Sequence, residues 1–600
     1  MPQFKKYFME TFYLFIVIFL FILAIFDLSV GVSNDAVNFL NSAIGSKAAS
    51  FKTIMIIAAI GIFAGATLSN GMMEVARHGI YQPQYFYFSE IMCILLAVML
   101  TDVVLLDIFN SLGMPTSTTV SLVFELLGGT VALAIIKIIN TDGALQFGDL
   151  LNTDKALTVI LAIFVSVAIA FFFGTVVQFL SRTLFTFNYK PRMKYFVAVF
   201  GGIAATSILY FMLIKGLKDT TFMSGALKDW VHNNTSFIVW SCFIGFTILM
   251  QVLHWLKINV FKIIVLLGTF ALALAFAGND LVNFIGVPLA GFSAYLDFTS
   301  YGGSIDPEAL LMTSLLGPAK TPWYFLIAAG LVMVIALLTS KKAQNVVKTS
   351  LDLSRQSDGE EAFGTSPVAR VLVRTSSNMA TTLMSVVPEN IKQWMDTRFN
   401  QDEIILENGA AFDLIRASVN LVLAGLLIAL GTSLKLPLST TYVTFMVAMG
   451  TSLADRAWGR ESAVYRITGV LSVIGGWFIT AGAAFVICFL VATIIYFGGT
   501  AAIVALIGLA TYSLVRSHLA FRKKSNKQTV SPTVKQLMNT NDRSEALVLF
   551  REHTRNELES VLAFAGEKFD KSVHGFMNEN LRDLRKVLAA IEEQKLHLRQ

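Results

Sequence analysis

Two short polar patterns interrupt the long apolar stretches of this sequence, and each occurs twice. Ser33-Asn34-Asp35-Ala36-Val37-Asn38-Phe39 and Gly278-Asn279-Asp280-Leu281-Val282-Asn283-Phe284 share the form x-N-D-x-V-N-F. Pro115-Thr116-Ser117-Thr118-Thr119 and Pro437-Leu438-Ser439-Thr440-Thr441 share the form P-x-S-T-T. On a helix, Asp35 and Asn38 stand three residues apart and Asn34 and Asn38 four, so they share a face that Ser42 extends. Asp280, Asn279 and Asn283 repeat the arrangement, with Val287 in place of Ser42. A carboxylate beside carboxamide and hydroxyl oxygens suits a hard cation such as Na⁺, or a proton. Ser and Thr cap helix N-termini and proline suits the first turn. Each P-x-S-T-T segment therefore predicts a helix start whose free N–H groups form an anion site. None of the four segments contains Lys or Arg. A site made of Asp35, Asp280 and a dianion would carry about −4 in a low-dielectric setting, so cations or protons must enter with the anion.

The elements that hold these residues are membrane helices. Of the 600 residues, 55% are hydrophobic and only 14% are charged, and the mean hydropathy is +0.66. Soluble domains carry about 25% charged residues, so a soluble enzyme, a disordered chain and a fibrous protein are excluded. The net charge of +6 is no nucleic-acid signature. Basic clusters such as Arg182-Lys190-Arg192-Lys194 and Arg522-Lys523-Lys524 flank apolar runs, where they set topology. The apolar runs are Thr11–Phe26, Thr53–Met73, Ile91–Thr101 with its flanks, Leu126–Ile136 with its flanks, Ala156–Ser181 and Tyr195–Ile214. Six more follow: Thr235–Leu253, Ile263–Asn279, Thr321–Ser340, Ala417–Leu434, Leu436–Ala454 and Ile467–Val515, the last broken near Gly498-Gly499. They predict about 12 spans in an all-α polytopic protein. The run after Lys5-Lys6 has no small-residue cleavage site and reads as the first span rather than a signal peptide.

The motifs recur in the same order, offset by 245 from Asp35 to Asp280 and by 322 from Ser117 to Ser439. The difference matches a polar, Ser-rich loop at 341–408, so the pattern reads as a duplication with one insertion. The predicted organisation is a membrane repeat at 1–220, a connecting helix at 221–260, a second repeat at 261–520 and a soluble helical tail at 521–600. Six spans plus the connector precede the restart, an odd number that predicts inverted repeats with broken, re-entrant helices. In the tail, Leu558, Val561, Leu562 and Phe564, then Leu581, Leu584, Val587, Leu588 and Ile591, follow helical spacing.

N-D-x-x-N followed by Gly45-Ser46 resembles the G-A-N-D-V-A-N-A-F-G-T-S-V-G-S signature of the PiT inorganic phosphate transporters, and the P-x-S-T-T segments resemble that family's second signature. The resemblance covers about residues 10–515 without the central loop. It implies a multi-pass protein of the plasma (cell inner) membrane that carries inorganic phosphate by symport with Na⁺ or H⁺. It implies phosphate contacts from Ser117, Thr118, Thr119, Ser439, Thr440, Thr441, Asn34 and Asn279. It implies cation coupling through Asp35, Asn38, Asp280 and Asn283, with Asp35 and Asp280 as Na⁺ ligands. The tail loosely resembles a PhoU-type domain. The lipid bilayer is an expected partner, a homo-oligomer is left open, and no cofactor or nucleic acid is expected. The chain departs from the pattern at Val32-Ser33 and Ala277-Gly278, where Gly-Ala is usual. It has Val120 and Tyr442 where His often follows, and Gly61 where many eukaryotic members carry Glu.

The remaining polar residues carry less. Cys93, Cys242 and Cys488 lie in apolar segments and read as small hydrophobes. Asp27, Asp102 and Asp107 flank apolar runs and read as interfacial. Glu125, seven residues beyond Thr118, reads as cavity-facing or as a structural hydrogen-bonding group. No nucleophile–base set appears, so catalysis has no support. The alternatives are a permease for sulfate or another tetrahedral oxyanion, and a channel or sensor with the tail as output.

Overall fold

The computed structural model describes residues 2–69, 73–112, 116–210, 225–301, 305–317, 321–339, 388–400, 410–434, 438–457, 462–527 and 543–578, with scattered positions at 367–385, 403–406, 436 and 580–591. Most of the polar segment 341–408, together with Pro115 and Pro437, lies outside the described residues. The fold is all-α. Its first half contains α1 (Pro2–Gly45), α2 (Phe51–Leu68), α3 (Glu74–His78), α4 (Phe88–Leu112), α5 (Thr118–Asn140), α6 (Phe147–Leu150), α7 (Thr153–Phe185) and α8 (Lys190–Leu209). After α9 (Gly225–Asn233) and α10 (Thr235–Trp255) come α11 (Val260–Ser300), α12 (Trp323–Thr339), α13 (Glu389–Arg398), α14 (Leu414–Ser433) and α15 (Thr440–Ala454). The chain ends with α16 (Ser462–Lys527) and α17 (Arg543–Met577). Two compact units result, Met1–Ser517 and His518–Gln600.

Among the described residues, ten helices are long and apolar enough to cross a membrane, and α12 is a shorter apolar helix. Their outward faces are as apolar as their cores. Helix α10 exposes Phe237, Trp240, Ile244 and Ile248, which is stable only where lipid replaces water. Helix α16 contains a real break: Gly499, at φ 54° and ψ −141°, joins two helices in a backbone region open to glycine. Helix α15 starts only at Thr440 and has 15 residues. At 1.5 Å per residue it reaches about 22 Å, too short to cross the hydrocarbon layer alone. The expected span Leu436–Ala454 is therefore a partial one.

The structure corrects three further expectations. The first apolar run does not end at Asp27, because α1 continues through it to Gly45. No proline interrupts the stretch, and its polar face is buried against other helices. Asp27 on α1 and Asp102 and Asp107 on α4 lie within helices, buried against their neighbours at 0%, 1% and 7% exposure, rather than beyond the ends of apolar spans. Arg182 is not a topology-setting surface charge. Its guanidinium is fully buried and pairs with Asp413 at 2.7 Å and Asp455 at 2.6 Å. A buried charge survives only when paired and hydrogen-bonded in this way, and the pair ties α7 to the start of α14 and the end of α15.

Helices α1 and α11 pack against each other at the centre, with α2 and α14 against α11. The α2–α11 approach explains Gly61. A Cβ there would lie 2.6 Å from the Phe270 carbonyl oxygen and 2.9 Å from the Ala273 Cβ, so any side chain would force the helices apart. In the second unit α17 is helical, as the spacing predicts, while Leu558, Leu562, Phe569 and Phe576 remain exposed.

Candidate anion and cation site

The N-D-x-V-N-F motifs lie inside the continuous helices α1 and α11. The P-x-S-T-T motifs form the N-termini of α5 and α15. Ser117 and Ser439 are the N-caps, their Oγ atoms accepting the backbone N–H of Val120 and Tyr442 at 3.2 and 3.1 Å. This is the capping that a Ser-Thr-Thr run favours, and each cap hydroxyl keeps its own hydrogen for another acceptor.

The four motifs meet in one buried cluster. Asn34 Nδ2 donates to Asp35 Oδ1 at 3.0 Å and to the Thr116 carbonyl at 2.8 Å. Asn279 Nδ2 donates to Asp280 Oδ1 and to the Leu438 carbonyl, both at 2.8 Å. Thr118 donates to Asp35 at 3.1 Å, and Thr440 to Asp280 at 2.6 Å. The second threonine of each motif crosses to the other half: Thr119 donates to Asp280 at 2.9 Å and Thr441 to Asp35 at 3.1 Å. Asn38 Nδ2 donates to Thr441 Oγ1 at 3.1 Å, and Asn283 Nδ2 to Thr118 and Thr119 Oγ1 at 3.1 and 3.0 Å. Every residue singled out in the motifs is thus in this cluster or caps it, and each is at most 7% exposed.

The halves are not identical. Asn283 also reaches Asp280 at 3.1 Å, and Thr444 donates to Asn38 Oδ1 at 3.1 Å. Ser42 accepts from Asn420 Nδ2 at 3.2 Å, a contact that Val287 cannot repeat. Beside Asn38 and Thr441 lies a cavity of about 20 Å³, lined also by Asn41, Ser42, Asn420 and Thr444, enough for one water-sized particle. Sequence reasoning missed the Thr116 and Leu438 carbonyls and Thr432, which donates to Asn279 Oδ1 at 3.3 Å. The carbonyls carry no side-chain signal, but the x of P-x-S-T-T marks their place. Tyr442 stacks on Trp477 at 3.8 Å between centroids, so the position where His often stands is filled here by packing.

The arrangement offers two helix N-termini, donor-rich hydroxyls and two carboxylates with no Lys or Arg among their partners. Such donors and carboxylates, buried between helices long and apolar enough to cross a membrane, form a candidate site for an anion and a cation. The phosphate transporter family matches residues 31–350, and the chain belongs to that family, one of transporters. It is 26% identical over 293 residues, 48% of this chain and 68% of the relative, to a Pyrococcus furiosus protein named as a phosphate permease. The fold is similar to that of a solved sodium-dependent phosphate transporter. The TM-score is 0.55 at 17% identity, over 80% of this chain and 99% of that one.

Proposed function

We propose that this chain moves inorganic phosphate across the plasma membrane by symport with a monovalent cation, Na⁺ or H⁺, around the cluster of Asp35, Asp280 and the two S-T-T segments. The observation that carries this reading is the sharing of hydroxyls. Thr118, Thr119, Thr440 and Thr441 each direct a hydrogen at Asp35 or Asp280, and a hydroxyl has one hydrogen to give. While both carboxylates are bare, these donors are engaged. A cation on the Asp35 and Asp280 oxygens replaces them and releases the hydroxyl hydrogens, which then turn to the phosphate with the Ser117 and Ser439 hydroxyls and the N-terminal amides of α5 and α15. Cation and anion therefore favour each other's binding, which is the coupling a symporter needs. The cation also offsets the repulsion between the carboxylates and a dianion.

The crossed bonds Thr119–Asp280 and Thr441–Asp35 fit two inverted repeats, at 1–220 and 261–520, that exchange access by rocking about the shared cluster. Asn34, Asn38, Asn279 and Asn283 hold the carboxylates and hydroxyls in register. The test is uptake of radiolabelled phosphate into proteoliposomes, with and without Na⁺ and pH gradients and with sulfate as competitor. Gradient-driven uptake that sulfate does not suppress is expected. Uptake indifferent to both gradients would overturn symport, and equal competition by sulfate would overturn phosphate selectivity.

A further inference from the structure

A second acidic group sits in the same unit with the opposite hydrogen-bonding character. Asp27 on α1, Asp102 on α4 and Glu125 on α5 are 0%, 1% and 0% exposed. Asp27 and Asp102 face each other within hydrogen-bonding range, yet no carboxylate oxygen of the three residues meets a donor. The charged groups that bear on them are one another and Asp35, and Glu125 in turn bears on Cys488 of α16. No Lys, Arg or His among the described residues does so.

Two carboxylates in contact with no donor between them repel, and a buried ion without a partner costs several kcal/mol. A proton converts the contact into a donor–acceptor pair, and neutralisation is how buried acids escape that cost. A bound metal is a poor alternative: among the described residues no group of three or more His, Cys, Asp or Glu has the geometry to hold one.

Position ties this group to the transport site. Asp27 precedes Asp35 by eight residues on α1, and Glu125 follows Thr118 by seven on α5. Both spacings put the acids about 10–12 Å along their helices from the motif residues, on one side of the cluster. The repeat shows that the acids are an addition to one half. At the offset of the N-D motif Asp27 corresponds to Leu272. At the offset of the S-T-T motif Asp102 and Glu125 correspond to Ala424 and Val447, all three apolar and buried. The scaffold of the repeat thus tolerates apolar residues at these places.

We infer that Asp27, Asp102 and Glu125 form a proton-carrying site that loads and releases a proton as the neighbouring phosphate site fills and empties. The proton site rests on the burial of the three acids and their missing donors, while its part in coupling rests on the symport reading. Protonation of one carboxylate is the whole chemical step.

Infrared difference spectroscopy of the full chain in lipid tests the site without transport. Protonated carboxyl bands are expected at neutral pH, reduced in Asp27→Asn, Asp102→Asn and Glu125→Gln, each of which keeps the shape of the protonated acid. No such band in the unsubstituted protein, or a band that Na⁺ abolishes, would overturn the proposal. In proteoliposomes containing a pH dye, phosphate uptake should acidify the lumen, and Glu125→Gln should cut protons moved per phosphate about tenfold, to background. An unchanged ratio would overturn the coupling role. Bands present in a protein that moves no phosphate would leave the proton site standing and remove the transport reading instead.

Discussion

Asp35 and Asp280 are surrounded by donors, whereas Asp27, Asp102 and Glu125, two helical turns away, have none. Asp35 accepts from Asn34, Thr118 and Thr441, and Asp280 from Asn279, Asn283, Thr119 and Thr440. The carboxylate oxygens of the second group have no hydrogen-bond donor, and the charged groups bearing on them are one another and Asp35. Hydrogen bonds to an ionised group contribute about 1.5–3 kcal/mol each, so the donors around Asp35 and Asp280 favour the charged form against the cost of burial. A buried carboxylate without any is penalised when charged, and a proton relieves that cost. Buried carboxylates of one unit thus sit in two opposite surroundings, and on the proposed reading the donors around them decide between cation and proton.

The largest effect should follow from removing charge where donors are present. Asp35→Asn keeps the shape but not the charge. Uptake should fall about a hundredfold and lose its dependence on the cation gradient, as measured by radiolabelled phosphate in proteoliposomes. Retained cation dependence in both Asp35→Asn and Asp280→Asn would erase the distinction between the two acidic groups.

Removing a donor comes next. Thr118→Val or Thr440→Val preserves volume and deletes one hydroxyl. Each should weaken phosphate binding by roughly ten- to a hundredfold, since a hydrogen bond to a charged group contributes about 1.5–3 kcal/mol and 1.4 kcal/mol is tenfold. Full affinity in a folded Val variant would make these hydroxyls packing groups. A smaller effect is expected at the donor-poor group, where Glu125→Gln should flatten the pH dependence of uptake by several-fold; an unaltered pH profile would sever that group from transport. The smallest belongs to Ser207→Ala, on α8 and outside both groups, which should change phosphate affinity less than twofold.

Much of the site was legible in the sequence because its residues are polar islands in apolar runs and occur twice. A duplicated Asn-Asp beside a duplicated Ser-Thr-Thr needs no contact map to suggest a shared site. The crossing of Thr119 to Asp280 was not legible, since a pattern along the chain does not say which half a hydroxyl will face. Asp27 and Asp102 were misread because hydropathy marks the end of a span wherever a charge appears. A helix that continues through a charge, as α1 does to Gly45, looks the same as one that stops. Arg182 was misread for a related reason: its partners Asp413 and Asp455 lie more than two hundred residues away along the chain. Glu125 was visible as an acid in an apolar stretch, but its lack of donors belongs to packing alone. The full extent of the long α16 was also out of reach, although its break at Gly499 was marked by the paired glycines.

The central claim is that the threonine hydroxyls are shared between the carboxylates and the phosphate. Equilibrium binding of radiolabelled phosphate to the purified protein tests it most directly, over a range of Na⁺ concentration and pH, for the unsubstituted chain and for the Asp35→Asn/Asp280→Asn double variant. The account predicts affinity that rises with cation in the unsubstituted chain and is independent of cation in the double variant. A double variant whose phosphate affinity still climbs with cation would contradict it.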